Sequence, residues 1–245
     1  FSERMYDVVR RYTDLVEEYS IDECFADITG SERLLSKSYD EIAKSIQDDL
    51  SKELGISFSI GLATNKVMAK VASKWKKPSG LTIIPSSMIK EFLKNLPTDK
   101  IWGIGPQTSG KLARRGIHTS LEYAGLPKWW VEENMAKPFY EIWQELNGQY
   151  IYELHIGVRQ AYQSISKTKT FTPPSTDQEF VYSQLSKNIE NACIKARRHK
   201  LASKKIFYFL KTQDFKYHGL ELKLEQATGA PQEIPKLIKK TFSTV

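Results

Sequence analysis

The first 84 residues switch repeatedly between the two periods by which a chain buries apolar surface, 3.6 for helices and 2 for strands. FSERMYDVVRRYTDLVEEY reads as an opening helix. Two short β-prone runs, VEEYSI and CFADIT, then meet at Asp22-Glu23, and their similar lengths predict a hairpin bent at that dipeptide. YDEIAKSIQDDLSKELG predicts a helix closed by Gly55, and ISFSIGLA (56–63) predicts a strand. TNKVMAKVASKW (64–75) carries Val67, Met68, Val71, Ala72 and Trp75 at helical spacing. KKPSG breaks that helix and LTIIP resumes as a strand. Strands alternating with helices predict an open α/β sheet covered by helices.

Residues 85–158 read as short helices punctuated by Gly and Pro, with IWGIGPQTSGKLARRGIHTS at their centre. Trp129, Trp130, Phe139 and Trp143 recur at near-helical spacing and are expected in the core. After Arg159, YQSISKTKTF alternates like a strand. DQEFVYSQLSKNIENACIKARRHK is an amphipathic helix with Val181, Leu185, Ile189, Ala192 and Ala196 inward. KKIFYFLKTQD and LELKLEQAT read as strands and PQEIPKLIKKTF as a further helix. The order is β-α-β-β-α, and the sequence stops where a closing strand is expected. The fold class is therefore α+β in several domains: 1–84 α/β with hairpin-borne carboxylates, 85–158 helical, and 159–245 βαββα.

Composition narrows the function classes. Of 245 residues, 40% are hydrophobic and 27% charged, ordinary globular usage that argues against disorder. No apolar run approaches the roughly 20 residues needed to span a bilayer. Two cysteines, Cys24 and Cys193, make neither a disulfide framework nor a thiolate zinc site, and they fit a reducing cytosol. The chain opens on Phe1 inside a helical pattern, so a natural N-terminus further upstream is expected. Net charge is +7, unevenly spread: 12 basic against 14 acidic residues over 1–84, 9 against 8 over 85–159, and 15 against 7 over 160–245. The basic last region suits either a solvated face or a polyanionic partner.

Asp22 and Glu23 would point to opposite faces of a continuous strand, but at a bend both can converge. Converging carboxylates suit a hard cation, above all Mg²⁺. Lys66, Lys70 and Lys74 follow at i, i+4 and i+8 along one helix face, and residues 61–84 hold five lysines and no acid, so no local partner neutralises them. Such ammonium groups beside a metal-binding hairpin are what a triphosphate needs. The stretch Gly61 to Lys66 lacks the spacing of a P-loop, which argues against that NTPase class. In IWGIGPQTSGKLARRGI, Gly103 and Gly105 permit a tight turn that exposes backbone N–H groups, and Pro106 opens a helix carrying Lys111. That arrangement resembles the hairpin of a helix-hairpin-helix module and binds a phosphate without reading base sequence. In the last region, Ser166 and Thr168 alternate with Lys167, and Arg197 and Arg198 cluster near a helix end, all good phosphate donors. The four histidines show no zinc spacing.

The stretches YSIDECFADITG (19–30), SIGLATNKVMAKVASKWKKPSGLTII (59–84), KIWGIGPQTSGKLARRGIHT (100–119) and SISKTKTF (164–171) together resemble Y-family, translesion DNA polymerases, and most of all the bacterial DNA polymerase IV group. The resemblance spans nearly the whole chain. It implies a palm (1–84), a thumb with a helix-hairpin-helix (85–158) and a little finger (159–245), in an enzyme that adds dNTPs to a primer 3′-hydroxyl during damage tolerance. It further implies that Asp22 and Glu23 ligate two Mg²⁺ ions per active site, that Lys70 contacts the triphosphate with Lys66 assisting, and that Gly103 and Gly105 hold the primer-side backbone. Primer–template DNA and a dNTP are the implied partners, with a sliding clamp reached through a C-terminal tail absent here, in the bacterial cytoplasm and without a membrane.

Two departures from the family pattern stand out. Cys24-Phe25 follows the acidic pair where the family has Ala-Phe or Ala-Tyr, a small-for-small change. The family's first strand, with a further metal-binding aspartate and the sugar-selecting residue, and its fingers domain are not in this chain, so the chain is expected to bind primer–template without extending it. The alternative reading is a non-catalytic DNA-binding module that uses only the glycine turn and the basic last region.

Overall fold

The computed structural model describes residues 1–157, 162–230 and 234–242. The chain divides into two compact units, Phe1–Val158 and Arg159–Val245.

In the first unit, α1 (Ser2–Arg10) is followed by strands β1 (Val16–Ser20) and β2 (Glu23–Ala26). These pair antiparallel, with Glu17 opposite Phe25 and Ser20 opposite Glu23, and a bulge falls between Glu18 and Ser20. The opening helix thus ends well before the expected VEEY, because those residues are taken by the hairpin. After α2 (Ser31–Leu35) comes α3 (Tyr39–Leu54), started by a capping box in which Ser38 accepts from the Glu41 N–H and Glu41 accepts from the Ser38 N–H. Strand β3 (Ile60–Ala63), α4 (Lys66–Trp75) and β4 (Leu81–Ile84) form a β-α-β unit with parallel strands.

Gly61 makes the close strand-to-helix approach possible. A Cβ there would lie 2.1 Å from the Ala69 carbonyl oxygen and 2.3 Å from the Ser73 nitrogen. The expected open sheet is corrected: β1–β2 and β3–β4 are separate two-stranded ladders. The strand expected over 56–63 also shortens to its last four residues, those that face Leu81–Ile84. An apolar cluster of α1, α3 and the hairpin packs Met5, Tyr6, Val9, Ile42 and Ile46.

Five short helices complete this unit: α5 (Ile89–Lys94), α6 (Pro106–Ala113), α7 (Ser120–Ala124), α8 (Lys128–Asn134) and α9 (Lys137–Leu146). Their core joins Leu93, Leu112, Tyr123 and Leu146 to Val67, Met68 and Val71 of α4, so one apolar cluster runs from α4 into this helical region. Trp130, Phe139 and Trp143 pack against it, but Trp129 is 60% exposed. On α8 the neighbouring Trp130 and Val131 take the inward direction, and Trp129 points away.

The second unit contains α10 (Gln178–Arg198), the antiparallel pair β5 (Ser203–Lys211) and β6 (Tyr217–Thr228), and α11 (Ile234–Thr241). Ile189, Cys193, Tyr208, Ile234 and Ile238 form its core. Cys193 is more deeply buried than the expected Ala192 and Ala196. The strand expected over YQSISKTKTF is corrected. Within its described part, 162–171, there is no regular secondary structure, since β5 and β6 pair only with each other and offer this segment no ladder among the described residues.

Candidate active site

The hairpin bends at Ile21-Asp22, one residue earlier than the sequence suggests, so Asp22 lies in the turn and Glu23 opens β2. Asp22 is exposed, and its Oδ1 accepts from the Ser20 hydroxyl at 2.6 Å. Glu23 is half-buried, and its Oε1 lies 2.5 Å from the Lys70 ammonium of α4. The acidic pair therefore sits at a bend beside the lysine-bearing helix.

Asn65 starts α4: its side-chain oxygen accepts from the Met68 N–H at 3.0 Å. Its amide donates to the carbonyls of Glu145 (2.8 Å) and Gln149 (3.1 Å). Glu145, fully buried at the end of α9, accepts from the Val67 N–H (2.9 Å) and from the N–H groups of Ile151 (3.1 Å) and Tyr152 (2.7 Å). A carboxylate at the first turn of α4 satisfies a free helix N–H and complements the helix dipole.

The lysine row is corrected in one respect. Lys66 and Lys70 are not partnerless surface cations; they are 7% and 8% exposed and paired with acids from β1 and β2. Lys66 is hydrogen-bonded to Glu17 Oε2 and donates to the Glu153 carbonyl at 2.6 Å, while Glu17 Oε2 also accepts from the His155 N–H at 2.8 Å. Lys74, one turn beyond Lys70, has its pKa pushed below the ordinary lysine value by desolvation and then by the Lys70 charge, with Glu23 opposing. Burial pushes the Cys24 thiol up to about 11, against a weaker pull from Arg10.

Aromatic rings line the seam. Tyr19, Phe25 and Trp102 contact one another with centroids 5.4–5.6 Å apart, and the Trp102 indole donates to the Tyr19 hydroxyl at 3.0 Å. Tyr152 joins Trp102 at 5.8 Å, and a cleft of about 380 Å³ opens between these rings and the Glu17–Lys66 pair.

The glycine turn directly follows Trp102 of this seam. Gly103 has φ +91°, a conformation that favours glycine, and a Cβ there would meet the end of the Ile142 side chain, Cδ1, at 2.6 Å. Gly105 caps α6, with Pro106 at its first position and open space where its own Cβ would lie. Lys111 is exposed on α6, while Arg115 stacks over the Trp130 ring at 5.7 Å.

In the second unit Ser166, Lys167 and Thr168 are exposed, as are Arg197 and Arg198 at the end of α10. Arg197 Nη1 donates to the Gly229 carbonyl at 2.7 Å, which fixes its guanidinium at the helix end.

Among the described residues no group of three or more His, Cys, Asp or Glu could hold a metal, and no helix is long and apolar enough to cross a membrane. Sequence reasoning missed Glu17, Glu145, Tyr19 and Trp102. The available signal for Glu145 was its place between Ile142 and Leu146, an acid on an otherwise apolar helix face.

The architecture matches that of Y-family DNA polymerases. A solved Y-family polymerase chimera, Dbh-Dpo4(243-245)-Dbh, superposes with a TM-score of 0.75 at 21% identity, over 99% of this chain and 70% of that one. DinB from Sulfolobus solfataricus gives a TM-score of 0.52 at 19% identity, over 99% and 70%. Two models of one family match the sequence, the impB/mucB/samB family over residues 1–74 and the impB/mucB/samB family C-terminal domain over residues 162–245. Together they cover more than half of the chain, which belongs to this family of Y-family DNA polymerases. Among curated proteins it is 32% identical to a DNA polymerase IV of Desulfatibacillum aliphaticivorans, over 98% of this chain and 61% of that protein. It is likewise 32% identical to a DNA polymerase IV of Clostridioides difficile strain 630, over 91% and 61%. The chain thus spans about three fifths of the length of these relatives.

Proposed function

We propose that the chain forms the palm (1–84), thumb (85–158) and little finger (159–245) of a template-directed, lesion-bypass DNA polymerase. The reading rests on one observation: Asp22 and Glu23 sit at a hairpin bend with Glu23 in contact with Lys70 of α4.

The donor set fits a hard divalent cation such as Mg²⁺. It consists of carboxylate oxygens only, Asp22 is exposed and oriented by Ser20, and Mg²⁺ takes one or two carboxylates together with water and substrate phosphates. Asp22 and Glu23 would hold the cation, which when bound polarises phosphate oxygens and neutralises developing charge. A count of two ions is part of the proposal, as is the dNTP.

Lys70 neutralises Glu23 in the free chain. When the carboxylate engages a cation, the same ammonium is left to meet a triphosphate as a point charge. Lys66, already committed to Glu17 and the Glu153 carbonyl, assists by holding α4 in place rather than by touching phosphate. The turn at Gly103 and Gly105, the N-terminus of α6 and Lys111 take the primer-side backbone in the manner of a helix-hairpin-helix. Ser166, Lys167, Thr168, Arg197 and Arg198 supply sequence-independent phosphate contacts to primer–template DNA.

In the full-length protein, Asp22→Ala or Glu23→Ala lowers primer extension by about a hundredfold or more while affinity for primer–template is retained. Undiminished extension by either variant removes the site assignment and leaves the non-catalytic DNA-binding reading.

A further inference from the structure

The seam between the hairpin and α4 holds two lysine–glutamate contacts, and their geometry links them. Glu17 and Tyr19 alternate along β1, and Glu23 and Phe25 alternate along β2, with Glu17 opposite Phe25. Each ammonium meets one carboxylate and one ring: Lys66 contacts Glu17 and lies 5.3 Å from the Phe25 centroid, and Lys70 contacts Glu23 and lies 5.5 Å from the Tyr19 centroid. Lys66 and Lys70 are one turn apart on a rigid helix, so fixing one fixes where the other can reach.

The inner contact is fixed from several sides. Glu17 holds the His155 N–H as well as Lys66, and Lys66 holds the Glu153 carbonyl. The outer contact is a single pair whose acid side chain is 37% exposed.

We propose that Glu17 is a positioning residue for the Asp22–Glu23 site: through Lys66 it sets where α4 lies on the hairpin, and so where the Lys70 ammonium meets Glu23. The inner pair stays closed while the outer pair exchanges partners, which keeps Lys70 in register when Glu23 turns to another cation. The inference rests on the functional reading above only for the identity of that cation and its nucleotide.

Glu17→Gln tests it, because the amide oxygen still accepts from His155 and only the charge on Lys66 loses its counterion. The first readout is the ¹⁵Nζ resonance of Lys70 by NMR, which a purely stabilising Glu17 does not affect. It is expected to move toward the position seen in Glu23→Ala. The second is calorimetric titration of the chain with dATP in Mg²⁺, well below the melting temperature, where affinity is expected to fall about tenfold, the usual cost of losing a supporting partner. Should Glu17→Gln prevent folding, the double variant Glu17→Gln/Lys66→Met removes both buried charges at once and is expected to show the same displaced Lys70 signal.

A lowered melting temperature with the Lys70 resonance and dATP affinity both at their wild-type values overturns the inference and leaves the functional reading intact. A wild-type chain that takes up no dATP in Mg²⁺ overturns the functional reading instead, and the Lys70 resonance alone then decides the role of Glu17.

Discussion

The inner and outer ends of the hairpin–α4 seam use the same chemistry, a lysine against a glutamate, in opposite surroundings. At the inner end the Lys66 and Glu17 side chains are 7% and 10% exposed, and two backbone groups complete their hydrogen bonding. At the outer end Lys70 is equally buried but Glu23 is 37% exposed and meets only the ammonium. A buried pair that loses one member strands a charge in low dielectric, whereas a pair open to water is replaced by solvation at little cost. Along a single helix, the inner pair is closed off from water, whereas the outer pair is open to water on its acid side.

The largest effect is expected where burial is deepest. Lys66→Ala should cost about 3–5 kcal/mol in denaturant unfolding of the first unit, because Glu17 is left without its counterion. Glu17→Gln/Lys66→Met should recover most of that loss, and equal losses in the single and double variants would break the account of a charge pair.

Glu145→Ala comes next. It strands the N–H groups of Val67, Ile151 and Tyr152 and should cost about 2–3 kcal/mol, read in the same unfolding experiment.

Glu23→Ala should cost less stability than Lys66→Ala, because water can enter the place of the half-exposed carboxylate and solvate Lys70, while abolishing Mg²⁺-dependent dATP binding in calorimetry. A large stability loss there would erase the contrast between the two ends.

A further effect concerns pH. The Cys24 thiol is raised from 9.0 to about 11 by burial, so its contribution to stability is complete below pH 9 and is lost as pH rises toward 11. Cys24→Ala should flatten that part of the first unit's stability profile, measured by denaturation at pH 8, 9, 10 and 11.

Much of the first 84 residues was legible because local signals agree there. The helix over 66–75 has a capping asparagine and a clear apolar stripe, and the strand at 81–84 follows a Pro-Ser-Gly break. The hairpin was read from two β-prone runs, and its bend was misplaced by one residue because a bulge between Glu18 and Ser20 shifts the register. The partners of Lys66 and Lys70 lie 49 and 47 positions upstream, so no window along the chain could show that these lysines are neutralised. The same limit hid the link from Glu145 to α4, whose Val67 N–H lies 78 positions earlier. In the second unit, alternation over 162–171 suggested a strand, but alternation gives only a two-faced segment, and a strand also needs a neighbour with free backbone groups.

The most direct test of the central claim is calorimetric titration of dATP into the chain, in Mg²⁺ and again in EDTA, for the wild type and for Asp22→Ala/Glu23→Ala. The account predicts binding by the wild type in Mg²⁺ alone and none by the double variant, with both proteins equally folded. Equal dATP affinity in the two proteins, or binding indifferent to EDTA, would contradict it.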